Sequence, residues 1–129
     1  MTLTEIQQLR RDKPREFDAL VAEKIFGLQA KRGKHPWTFT RSGLELGPLR
    51  QYGTDSAADL ECHRAAYRWD SDSKDDYFGF LSEILVNRSE GPDKWDEFME
   101  MASLLYLDCY AVGDYAAAAL AAKEVADAK

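Results

Sequence analysis

The sequence predicts an α+β fold: a mainly helical single domain over residues 1–129, with a β-hairpin at about 36–49 and room for further strands in a small layered sheet packed against the helices. Three observations carry this reading. Ala and Leu number 17 and 14 while Val, Ile and Thr together number 12, so helix formers outweigh the β-branched residues that suit strands. Apolar residues recur at intervals of three and four along most of the chain, and only between His35 and Leu49 does the period fall to two. The length of 129 residues matches one domain, with no internal repeat and no linker long enough to divide domains.

Thr2 and Glu5 have capping-box spacing for a short helix reaching about Arg11, and Pro14 opens a second helix carrying Phe17, Leu20, Val21, Ile25 and Leu28 that Gly27 ends. Trp37, Phe39, Leu44 and Leu46 then alternate with Thr38, Thr40 and Glu45 around Ser42-Gly43, a two-residue hairpin link. Such a link sets Phe39 opposite Leu46 and Arg41 opposite Leu44, with the apolar side chains on one face. Ser56 and Asp59 have capping-box spacing for a helix to about Trp69, with Ala58, Cys62, Ala65, Ala66 and Trp69 on its apolar face. Ser73 and Asp76 repeat the signal before Tyr77, Phe80, Leu81, Ile84 and Leu85, which reads as a helix over 74–87; a short strand from Tyr77 to Val86 is the alternative. Gly91-Pro92 starts a helix whose wide stripe of Trp95, Phe98, Met99, Ala102, Leu105, Tyr106 and Cys109 marks it as the core helix. After Gly113, with Asp114 as cap, Tyr115 to Ala128 is an Ala-rich helix that permits close approach of a neighbour.

Charge narrows the choice of partner. Residues 1–50 hold 10 Lys/Arg against 6 Asp/Glu (+4), and residues 51–129 hold 7 against 17 (−10), giving −6 in all. An acidic surface repels nucleic acid and anionic lipid and attracts basic protein surfaces, so a protein partner is expected and nucleic acid is not. No apolar run approaches about 18 residues and no basic-then-apolar segment opens the chain, so the expected setting is cytoplasmic, away from membranes. Cys62 and Cys109 lack zinc-site spacing and fall on apolar faces, so both read as buried thiols, and no metal or cofactor is expected.

Three blocks resemble the phage ABA sandwich domain, a family of small proteins encoded by bacteriophages and prophages. They are Ala19-Leu20-Val21-Ala22-Glu23-Lys24-Ile25-Phe26-Gly27, Tyr52-Gly53-Thr54-Asp55-Ser56-Ala57-Ala58, and Gly113-Asp114-Tyr115-Ala116-Ala117-Ala118-Ala119-Leu120, about a fifth of the chain. The second is similar to the family's Tyr-Ser-Thr-Asp turn, with Gly53 in place of Ser. The resemblance implies an α/β layered fold and a phage origin, and brings no activity and no catalytic residues. The stretch from Tyr67 to Tyr110 departs from it, since helical periodicity replaces the family's strand-like segments there.

Four residue groups bear on function. Asp59 and His63, four apart, would share a helix face where a carboxylate could orient an imidazole; with no further ligand at a suitable spacing, a surface hydrogen bond is expected instead. Lys31, Arg32, Lys34 and His35 beside Trp37, joined by Tyr52 and Asp55 of the following turn, could grip a phosphate or nucleotide, and otherwise form a solvated loop. Asp93, Asp96, Glu97 and Glu100 form an acidic helix stripe, and Asp70, Asp72, Asp75 and Asp76 a second cluster. Asp108, inside an apolar run, is expected to point outward.

With the phage resemblance, these features lead to the expectation of a non-enzymatic accessory protein, without catalytic residues, that binds and inhibits a bacterial host protein, with a nucleic-acid-binding defence component as the target. Contact would run through Asp72, Asp75, Asp76, Asp93, Asp96, Glu97 and Glu100. The alternatives are a small-molecule binder or enzyme using loop 31–37 and turn 52–55, and a phage structural factor that forms a homodimer through the Ala-rich helix.

Overall fold

A computed structural model of the chain describes residues 1–31, 38–41, 44–89 and 110–128, with the backbone alone at 31, 38–41, 44–46 and 89. The described residues are mostly helical, with five helices and three short strands. Helix α1 (Leu3–Asp12) opens on the expected capping box: the Glu5 N–H donates to Thr2 Oγ1 at 3.2 Å and the Thr2 N–H to Glu5 Oε1 at 3.0 Å. Pro14 supplies the first residue of α2 (Pro14–Phe26), where its missing N–H costs nothing. Gly27, at φ 66°, closes that helix in the left-handed conformation that favours glycine.

Strands β1 (Gln29–Lys31), β2 (Thr38–Arg41) and β3 (Leu44–Pro48) pair antiparallel in that order. Arg41 lies opposite Leu44 as expected, but the register shifts between Phe39 and Thr40, so Phe39 faces Gly47 and not Leu46. Gly47 takes φ 139°, and the irregularity there inserts the extra residue that a strict two-residue period does not foresee. Strand β1 was not expected, since three residues are too few to show a period.

Helix α3 (Ser56–Tyr67) is capped by Asp55, which accepts the Ala57 N–H at 3.0 Å, so Ser56 does not cap and Asp59 is released to turn inward. The second capping-box expectation is displaced too, by three residues where the first moved by one: Asp70 accepts the Ser73 N–H at 2.8 Å ahead of α4 (Ser71–Ser89). Residues 77–86 lie inside α4, which excludes the strand alternative. Helix α5 (Asp114–Asp127) begins after Gly113, and Asp114 is its first residue, not its cap.

The centre of the described core is α5. All nine residues from Asp114 to Ala122 are buried, and α1, α2, α3 and α4 each pack against this helix. Six of the nine are alanine, so neighbouring helices approach on every side without side-chain interference. The Ala-rich face expected to be free for a homodimer is thus occupied by the chain's own helices. Ile6, Phe17, Val21, Cys62, Tyr77 and Leu85 complete the buried shell, each large apolar side chain contributing roughly 1.5–3 kcal/mol. The expected helix from Gly91-Pro92 to Cys109 lies outside the described residues, and so do Asp108 and the side chains of Trp37, Phe39, Leu44 and Leu46.

Candidate functional site

Among the described residues three carboxylates are buried, and each fastens one element to another. Asp18 on α2 takes Arg15 Nη1 on Oδ2 at 2.7 Å and the Gly53 N–H on Oδ1 at 3.2 Å; Arg15 Nη2 continues to the Leu49 carbonyl at 2.7 Å. This fixes the turn at 49–53 against α2. Asp59 on α3 accepts the Ala116 N–H at 2.8 Å and the Tyr110 O–H, so it satisfies the first turn of α5 from another helix. Asp114 accepts Arg88 Nη2 at 2.8 Å and Arg10 Nη1 at 3.1 Å, both on Oδ1; its Oδ2 takes Arg88 Nη1 and, at 2.8 Å, the Ala111 N–H. One carboxylate therefore ties α1 and α4 to the start of α5.

The expected Asp59–His63 hydrogen bond is not made, because Asp59 points into the core. His63 Nδ1 lies 2.7 Å from the Tyr77 hydroxyl, and its ring packs on Tyr115 at 4.7 Å between centroids. Burial lowers the His63 pKa, which favours the neutral imidazole that such an aromatic setting requires. Cys62 is buried, and desolvation holds its thiol well above the ordinary range, so it behaves as a core residue.

Around His63 the aromatic cluster reaches the surface. Tyr67 on α3 is 60 % exposed and Phe78 on α4 36 %, their rings 6.4 Å apart in an edge-to-face contact, with Lys74 Nζ 4.8 Å from the Tyr67 centroid. The first turns of α4 beside them carry Asp72, Asp75 and Asp76. Asp72 and Asp75 are exposed, Asp76 is half-buried, and none of the three carboxylates has a hydrogen bond or ion pair among the described residues. Asp70 is occupied in capping.

The structure therefore brings three of the seven expected partner-binding acids together at the α3–α4 edge; Asp93, Asp96, Glu97 and Glu100 lie outside the described residues. Of the alternative ligand set, Arg32, Lys34, His35 and Trp37 also lie outside them, and Lys31 is described only as backbone at the end of β1. Tyr52 is buried and stacked on Phe26 with centroids 5.5 Å apart, its hydroxyl pKa pushed up to about 12 by desolvation, and Asp55 is taken up as the α3 cap. Tyr52 is therefore closed to a ligand, and Asp55 has one oxygen, Oδ1, engaged in the cap. Sequence reasoning missed Tyr67 and Phe78, whose signal was available: both fall off the apolar stripes of their helices. It also missed the pairing of Arg10 and Arg88 with Asp114, for which no local pattern exists. No family model, curated protein or solved structure matches the chain.

Proposed function

We propose that the chain is a protein-binding module that docks the α3–α4 edge on a basic surface of its partner. The observation that carries this reading is the pair of exposed rings, Tyr67 and Phe78, in contact with each other beside carboxylates that have no partner among the described residues. Protein interfaces concentrate their energy in a few aromatic anchors surrounded by a polar rim, and that is the composition here. Carboxylates left solvated in the free chain can meet Lys or Arg donors through charge-assisted hydrogen bonds and speed encounter at low salt.

The resemblance to the phage ABA sandwich domain supports a more specific form of the proposal: a phage-encoded accessory protein whose acids stand in for nucleic-acid phosphate on a host defence protein and so inhibit it. Asp93, Asp96, Glu97 and Glu100 would extend the acidic rim. In the same reading the antiparallel strands are the β layer of an α+β fold, lying against the helices.

The test begins with capture of a binding protein from bacterial lysate and continues with the purified pair. Asp72→Lys with Asp75→Lys should lower the association rate at least about tenfold at low salt, with the difference shrinking as salt screens charges beyond about 8 Å. Tyr67→Ala should instead speed dissociation. Unchanged kinetics in both folded variants would return the edge to an ordinary solvated surface.

A further inference from the structure

Where α1, the start of α2 and the end of α4 converge, a cavity of about 330 Å³ is lined by Gln7, Arg10, Arg11 and Arg88, with Pro14, Gly53 and Thr54 completing its wall. A second cavity, of about 360 Å³, shares Gln7, Arg11 and Arg88 with it. Among the described residues that line it, the first has three guanidinium groups and no carboxylate, in a chain whose net charge is −6. Such a local inversion of charge needs an account beyond the tying of helices.

Asp114 explains part of it. It holds Arg88 through both terminal nitrogens and Arg10 through one, while Arg10 Nη1 also donates to Gln7 Oε1 at 3.0 Å and Nη2 to the Val112 carbonyl at 2.5 Å. Gly113, at φ 102°, is the backbone against which Arg10 lies; a Cβ there would sit 2.6 Å from Nη2. The Arg10 fork is thus held in one orientation, with N–H groups to spare beyond these bonds. Arg11 differs. It is exposed, it lines both cavities, and it has no hydrogen bond or ion pair among the described residues.

We propose that this cavity binds the phosphate group of a small phosphorylated ligand, with Arg10 and Arg88 as the fixed floor and Arg11 as the arm that closes on the bound anion. Guanidinium forks match phosphate oxygens in pairs, and a floor already held by Asp114 loses little further freedom on binding. A phosphate monoester, carrying about −1.5 to −2 at pH 7 with three acceptor oxygens, suits a cluster of guanidinium forks better than the single charge and two oxygens of a carboxylate ligand. The volume lies at the small end of the roughly 300–1,000 Å³ typical of ligand pockets, which suits a phosphate carrying a small organic group. Glu83 lines only the second cavity. The proposal stands apart from the protein-docking edge, since Arg88 lies ten residues beyond Phe78 on α4, roughly 15 Å along the helix axis.

Calorimetric titration of the whole chain with inorganic phosphate and with ribose 5-phosphate, against chloride at matched ionic strength, tests it. One saturable site per chain is expected for the phosphate probes and none for chloride. Tighter binding of ribose 5-phosphate identifies an esterified phosphate as the preferred group, and equal affinity identifies the free anion. Arg11→Gln should weaken binding about tenfold, the loss of one charge-assisted contact, while leaving the melting temperature unchanged because the side chain is solvated. Arg11→Lys, which keeps the charge and loses the fork, should fall between the two. Absence of saturable binding up to roughly 10 mM, or equal affinity in wild type and Arg11→Gln, overturns the proposal.

Discussion

Asp59 and Asp114 are both fully buried, both serve the first turn of α5, and yet burial has opposite outcomes for their protonation. Around Asp59, desolvation raises the carboxyl pKa, and the neutral donors Tyr110, Ala116 N–H and Gly113 N–H, with a smaller pull from the Arg10 charge, which makes no ion pair with it, offset it only in part. Around Asp114, desolvation is again the largest single influence, but Arg88, the Ala111 N–H and Arg10 together outweigh it and bring the pKa below the ordinary 3.8. The difference teaches that neutral hydrogen bonds satisfy a buried carboxylate, whereas a countercharge in direct contact is what keeps it ionised. The first arrangement joins two helices, and the second joins three and holds two arginines besides.

The sharpest way to break this comparison is to remove the charge at Asp114. Asp114→Asn removes the buried carboxylate that Arg10 and Arg88 share and should cost about 2–3 kcal/mol in denaturant melts, less than for a fully buried pair because Arg88 is exposed. A loss under about 1.5 kcal/mol would mean that the arginines relax into solvent and that the carboxylate is no anchor.

A smaller effect sharpens it through pH. The folded pKa of Asp114 lies below 3.8, so its contribution is complete above that pH and is lost as pH falls through the lower folded value. For Asp59 the folded pKa lies above 3.8, so the folded state binds a proton that the unfolded chain releases, and ionisation at higher pH subtracts stability. Stability of wild type relative to Asp59→Asn should therefore rise as the pH is lowered from 7 towards 4. Relative to Asp114→Asn it should stay level over that range and fall only below 3.8. Parallel curves for the two variants would remove the distinction.

The smallest effect is expected at the surface. Tyr67→Ala exchanges an exposed ring for solvent and should move stability by no more than about 0.5 kcal/mol, whatever it does to binding. A loss of several times that would show Tyr67 to be part of the core that His63 and Tyr77 seal.

The features legible in the sequence were those written within three or four residues. Thr2 with Glu5, Pro14 and Gly27 each mark a helix end because the side chain or backbone that satisfies the terminus sits beside it. Capping-box spacing failed twice, at Ser56/Asp59 and Ser73/Asp76, because Asp55 and Asp70 stand nearer the termini and take the role. The bulge at Phe39 escaped a period-two reading since Gly47 imposes it from the facing strand. Nothing local identifies Asp59 as the ligand of an N–H 57 residues away, or Arg10 as the partner of Asp114 across 104. These bonds exist only once the helices are assembled, so a periodic pattern cannot announce them. The acidic edge was legible as composition, while the aromatic pair within it depends on how α3 and α4 turn towards each other.

The alanine helix has one more consequence, for how the molecule can vary. A rod of methyl groups sets the spacing of the helices around it by its radius alone, and any larger side chain from Ala116 to Ala119 would push a neighbour outward. The architecture is therefore stored in a short string of the plainest residues and a few distant aspartates. The outward faces of α1 to α4 hold almost none of that information, and they can be rewritten for one partner after another while the axle beneath them stays the same.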